Sequence, residues 1–288
     1  MSLPHSLILQ AIFGQGGGGT GSALLEAGWT EVVADTIYET QVAGTGSADF
    51  GGANIEVHVI GAGGWSGRDG MGYGNCGGGG GGGGARATIN GAGVISYQVG
   101  TGIAESSYDD GQDGALSEQE TFAYATPGTS QTTWFNSSTF LYGNGGGPGF
   151  YNGNANNSGV GGTWGGTAAT NGSNGGNGGG AVWNGEGNGV STRGGPTSST
   201  FGGGGGGEGN SLSPGASSYG ANGALSGTGG RGGIPNGNSF PASWRENTAG
   251  TKGGGNGGQS KWFPDNTAPA ADRTVIGSTN GVIRVTIL

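Results

Sequence analysis

The chain has 288 residues, of which 79 are glycine and 9 proline, and only 9% are charged. Collagen is excluded because glycine keeps no strict three-residue register and proline is scarce. Composition-driven disorder is disfavoured because charges are few while seven Trp, eight Tyr and nine Phe are spread along the chain. A net charge of −9 argues against nucleic acid and anionic membrane surfaces as partners, since both select clustered Lys and Arg.

Residues 1–50 form a first region, an expected β-rich segment serving as an attachment module or as the first strands of a sheet. Leu7–Phe13 is apolar and β-prone, and Gly16–Gly19 interrupt it. Leu24–Gly28 reads as a single helical turn capped by Gly28. Trp29–Thr40, rich in β-branched residues, reads as one or two strands.

The glycine-rich region, 51–288, opens with a strand over 54–60, where Ile55, Val57 and Val59 alternate onto one face. The single cysteine, Cys76, precedes eight consecutive glycines, Gly77–Gly84. It permits no disulfide within the chain and reads as a buried thiol. Strands are expected at 86–89 and 95–100, joined by the turn-like Asn90–Gly93. Another is expected at 281–288, where Ile283, Val285 and Ile287 alternate. This strand is expected to pair with 55–60.

Between 101 and 280 glycine runs alternate with aromatic segments. Asn171, Asn174 and Asn177 stand at every third place. That is the period of a polyproline-II-like helix, and glycine chains in that form can hydrogen-bond laterally because no side chains intervene. Gly77–Gly84, Gly202–Gly207 and Gly253–Gly258 are further candidate rods. The fold class expected is therefore mostly β, with packed polyglycine-II-type helices and little or no α-helix.

Several motifs carry a resemblance. They are the strand ending in Ile60-Gly61-Ala62-Gly63-Gly64, the run closing in Gly84-Ala85-Arg86-Ala87-Thr88-Ile89, Ser96–Gly102, and the ending Asn280–Ile287. Together these resemble the glycine-rich domains of bacteriophage tail proteins, over roughly 50–288. The resemblance implies a non-enzymatic tail-fibre or tail-tip protein, similar to the T-even adhesins that display receptor-binding loops on polyglycine-II helices. The implied partners are a bacterial surface receptor, either glycan or outer-membrane protein, and other virion tail proteins. Met1–Gln10 has no cationic n-region, and no stretch has the length of a transmembrane helix. Synthesis in the host cytoplasm and assembly into a virion are expected.

Candidate sites are few. Asp109, Asp113 and Glu120 fit positions one, five and twelve of an EF-hand-like calcium loop, although Gly111 supplies no ligand at position three. An acidic surface turn is the simpler reading. His5 and His58 are the only histidines, and no Cys/His cluster has metal spacing. No nucleophile, base and orienting group stand out together, so no catalytic residue and no cofactor are assigned. Trp134, Tyr151, Trp183 and Trp244 have polar or glycine neighbours and suit stacking on sugar rings, against the competing role of burial.

The expected function is receptor binding by a phage virion protein, with avidity from a homo-oligomer, a trimer being favoured. The alternatives are a purely structural virion subunit, either a capsid decoration or a tail-assembly component, an ice-binding protein, and a disordered glycine-rich wall protein.

Overall fold

In the computed structural model the described residues are 24–65, 78–102, 106–107, 130–147, 149, 159–178, 181–183, 189–191, 250–254, 274–275 and 278–288. They are strands, turns and extended segments, with no helix among them. One six-stranded antiparallel sheet runs in the order β1 (Leu24–Leu25), β4 (Gly44–Asp49), β7 (Ile95–Val99), β9 (Thr133–Phe135), β10 (Leu141–Gly143), β11 (Trp164–Gly165). The second runs β12 (Asn171–Ser173), β6 (Gly84–Asn90), β5 (Asn54–Ile60), β16 (Val282–Ile287), β3 (Ile37–Thr40), β2 (Trp29–Val33). Two short ribbons pair β8 (Ser106–Ser107) with β15 (Thr274–Val275), and β13 (Ala181–Trp183) with β14 (Gly189–Ser191).

The period-two segments form strands because alternation gives them one apolar face to bury. Ile55, Val57 and Val59 of β5, Ile283 and Val285 of β16, and Val99, Phe135 and Leu141 of the opposite sheet are all less than 2% exposed. They meet in one core between the sheets. Each such side chain contributes about 1.5–3 kcal/mol by leaving water. Trp29 closes one side of this core, edge-on to Phe50 and to Tyr97, and its Nε1 donates to Tyr97 Oη at 3.1 Å. The expected pairing of 281–288 is present, with β16 antiparallel to β5 from Val282↔Ile60 to Ile287↔Ile55. On its other side β16 pairs with β3.

One local expectation is corrected and another is made specific. Leu24–Leu25 is a strand on β4 rather than a helical turn, because pairing with Asp49 and Ala48 satisfies its backbone. Gly28 stands at φ 104°, far from helical values, and turns the chain into β2. The Asn90–Gly93 turn joins its two strands as expected. It carries the chain from β6 in one sheet to β7 in the other. Asn90 Oδ1 accepts the Ala92 N–H at 3.0 Å, and Gly91 N–H donates to Ala53 O at 2.7 Å, tying this corner to the neighbouring one at 50–53.

At one end the sandwich strands continue as glycine segments. Gly61–Gly64 prolong β5, 78–83 precede β6, Asn144–Gly147 follow β10, and 174–178 follow β12. Their backbone hydrogen bonds recur at every third residue. Gly80 and Gly83 N–H donate to Gly147 and Asn144 carbonyls, while Gly64 and Gly61 donate to the carbonyls of Gly80 and Gly83. Gly159 and Gly162 donate to Gly78 and Gly81. The intervening Gly81 and Gly82 donate to Gly176 and Gly253. A β-strand bonds two neighbours in one plane, whereas 78–83 bonds five segments around its circumference. Contact is backbone on backbone, and a Cβ placed on Gly80 or Gly83 would be driven into the carbonyl oxygen of Val160 or Thr163. Buried N–H and C=O groups are thereby satisfied without a ladder.

Candidate functional site

The outer face of the first sheet carries one of the aromatic candidates, Trp134. Phe135 and Leu141 point into the core, so alternation sends Trp134 and Tyr142 to the opposite face. The register places them directly across from one another, Tyr142↔Trp134, and sets Gln98 beside Trp134 on the other flank. The outward row across the sheet is therefore Thr45, Gln98, Trp134, Tyr142, Gly165. Trp134 and Tyr142 are half-buried, which leaves part of each ring to solvent.

Gly165 makes room for Tyr142. A Cβ there would meet Tyr142 Oη at 2.7 Å, so the phenol lies over the glycine. Gln98 is fixed by donating from Nε2 to the Thr132 carbonyl at 2.7 Å. Along the same face Thr132 Oγ1 donates to Asn144 Oδ1 at 3.0 Å, and Asn144 Nδ2 donates to Thr163 Oγ1 at 2.8 Å. Two rings flanked by a held amide on one sheet face offer apolar stacking and polar contacts together.

Sequence reasoning singled out Trp134 by its polar neighbours but missed Tyr142 and Gln98. Gln98 stands 36 residues before Trp134 and Tyr142 stands 8 after it, and only the pairing register joins them. Trp183 sits in β13, in register with Gly189. Tyr151, Trp244, Asp109, Asp113, Glu120, His5 and Cys76 lie outside the described residues.

A second polar grouping spans the outer face of the other sheet. In register across it stand Arg86, His58, Arg284 and Glu39. His58 is on the second face of its strand as expected from alternation, yet it is only 4% exposed. Glu39 is buried and accepts from Arg284 Nε at 2.9 Å and Nη2 at 2.6 Å, from Lys252 Nζ at 2.8 Å, and from Gln41 Nε2 at 2.9 Å. Burial pushes the Glu39 carboxyl up, but the hydrogen bonds and positive charges of Lys252 and Arg284 outweigh it and hold the group below its ordinary value. Arg86 pairs with Glu56 at 3.2 Å. Every oxygen of Glu39 is engaged, so this grouping reads as a clasp between β3, β16 and the 250–254 segment. Among the described residues no group of three His, Cys, Asp or Glu is placed to hold a metal ion.

Compared with protein-family models and with curated proteins, the sequence matches none.

Proposed function

We propose that the protein is a non-enzymatic virion component of a phage tail fibre or tail tip that binds the bacterial surface. We read the segments 61–64, 78–83, 144–147, 159–162 and 175–178 as a bundle of polyglycine-II-type helices. The observation that carries this reading is the three-residue recurrence of backbone hydrogen bonds around Gly78–Gly83. A helix of three residues per turn presents each neighbour with one bonding group per turn, and only glycine permits such close approach. The bundle supplies a stiff support for contact surfaces, and several copies supply avidity.

The Trp134–Tyr142–Gln98 face is the contact surface we assign to a receptor glycan. Ring faces stack on sugars while the amide binds hydroxyls. The test is binding of fluorescently labelled protein to intact bacteria of the host species, read by flow cytometry. The Trp134→Ala/Tyr142→Ala variant is expected to lose at least about tenfold in apparent affinity with an unchanged circular dichroism spectrum. Periodate treatment of the cells is expected to lower binding of the parent protein. A folded parent protein that does not bind saturably would sink the adhesin reading and leave a structural virion subunit.

A further inference from the structure

Strand β2 is the outermost strand of its sheet, and among the described residues nothing pairs with its free side. Val32 and Val33 on it are 50% and 47% exposed, and Val42, close by, is 58% exposed. On the outer face of the sheet, over β2 and β3, lies a cavity of about 330 Å³ lined by Gly28, Thr30, Val32, Glu39, Gln41 and Val42. Gly28 keeps one wall low, since a Cβ there would meet Val42 Cγ2 at 2.8 Å. The register shift between Glu31 and Val33 sets Val32 apart from the regular ladder.

The exposed charges on β2 and on the turn that follows it are acidic. Glu31 and Asp35 are exposed and adjacent, with the Asp35 N–H donating to Glu31 Oε1 at 2.5 Å. The nearby cations Lys252 and Arg284 are both engaged by Glu39. A free strand edge offers main-chain hydrogen bonds, and a pocket beside it receives alternate side chains of an added strand.

We propose that β2 and its cavity form a strand-addition site for an extended segment of another protein, aliphatic at alternate positions and basic between them. Charge complementarity favours this occupant over a second copy of the chain. Antiparallel β2–β2 pairing would set acidic Glu31 and Asp35 against their own counterparts in a molecule already at −9. The site stands whether or not the aromatic face binds a receptor, because it involves the other sheet.

The test is a fluorescence-anisotropy titration of the full-length protein with a labelled decapeptide alternating valine and lysine, against one alternating valine and glutamate. The lysine peptide is expected to bind saturably and at least about tenfold more tightly. Val32→Asp and Val42→Asp are each expected to weaken it at least about fivefold, whereas Trp134→Ala leaves it unchanged. Equal affinity for both peptides, no binding, or indifference to both valine variants overturns the proposal. So does a dimer in sedimentation that Val32→Asp dissociates, which gives the edge to a second copy. Binding gained only in a full-length Leu9→Asp variant also overturns it, because residues 7–13 then hold the edge.

Discussion

At the scale of the residue, Glu39 gathers three side-chain partners, Arg284, Lys252 and Gln41. It is buried, and its carboxylate joins a strand near the start of the described chain to Arg284 of β16 and to Lys252 of the 250–254 segment. A carboxyl whose folded pKa is depressed binds its proton less readily folded than unfolded. Its stabilisation is therefore complete above the unfolded pKa and is lost as pH falls through the lower folded one. Urea midpoints taken across acidic pH are expected to decline through this window in the parent protein. In Glu39→Gln the decline is expected to be shallower, leaving only the share of the other carboxylates. At neutral pH, Glu39→Ala is expected to cost about 2 kcal/mol, from two cations losing their partner while each retains partial access to water. A midpoint that is unchanged at neutral pH and keeps the parent's acid slope would show the clasp to be energetically idle.

At the scale of the element, the glycine segments and the strands follow different rules, and single substitutions separate them. Gly80 has backbone on every side, with the Val160 carbonyl in the way of a Cβ. Gly93 stands at φ 73° with nothing within 4 Å of a Cβ. Gly80→Ala is expected to cost about 2–4 kcal/mol, because closely packed backbone segments have to part to admit one methyl group. Gly93→Ala is expected to cost about 1 kcal/mol, the strain of a left-handed turn alone. Thermal denaturation of the two variants checks the order, and equal losses would mean that backbone crowding at Gly80 is relieved without penalty. The strands at 54–60, 95–99 and 282–287 were legible in the sequence because each is long enough to show period-two alternation. Strands β9 to β12 were not, being two or three residues long and set among glycines and polar residues. Their identity comes from partners, as Trp134 shows: its residue type marked it as a candidate, but its neighbours Tyr142 and Gln98 appear only once register is known. The direction of the Asn90–Gly93 turn was equally hidden, since a turn sequence sets local curvature and not which sheet the next strand joins.

At the scale of the whole molecule, the second sheet is closed by its last strand in sequence. Strand β16 fills a slot between β5 and β3, and its Arg284 meets Glu39 across 245 residues of chain. Its core face supplies Ile283 and Val285, both fully buried, so the sheet cannot complete its side of the sandwich without it. Long-range pairing of this kind makes folding slow, because loop closure is paid for before the contacts form. A chain lacking residues 281–288 is expected to leave β3 and β5 with facing, unsatisfied edges and an open apolar trench. Such a chain is expected to be loosely packed by near-ultraviolet circular dichroism. It is also expected to capture a labelled peptide of the sequence 281–288 in trans, as strand complementation does wherever one strand is missing from an otherwise formed sheet. The same peptide carrying Arg284→Ala is expected to bind at least about fivefold more weakly, having lost the Glu39 clasp but none of the ladder. Equal capture of the two peptides would leave apolar burial as the sole source of closure. Failure to capture either would mean that the remaining strands do not hold the slot open, and that the sandwich and the glycine segments fold only as one cooperative unit.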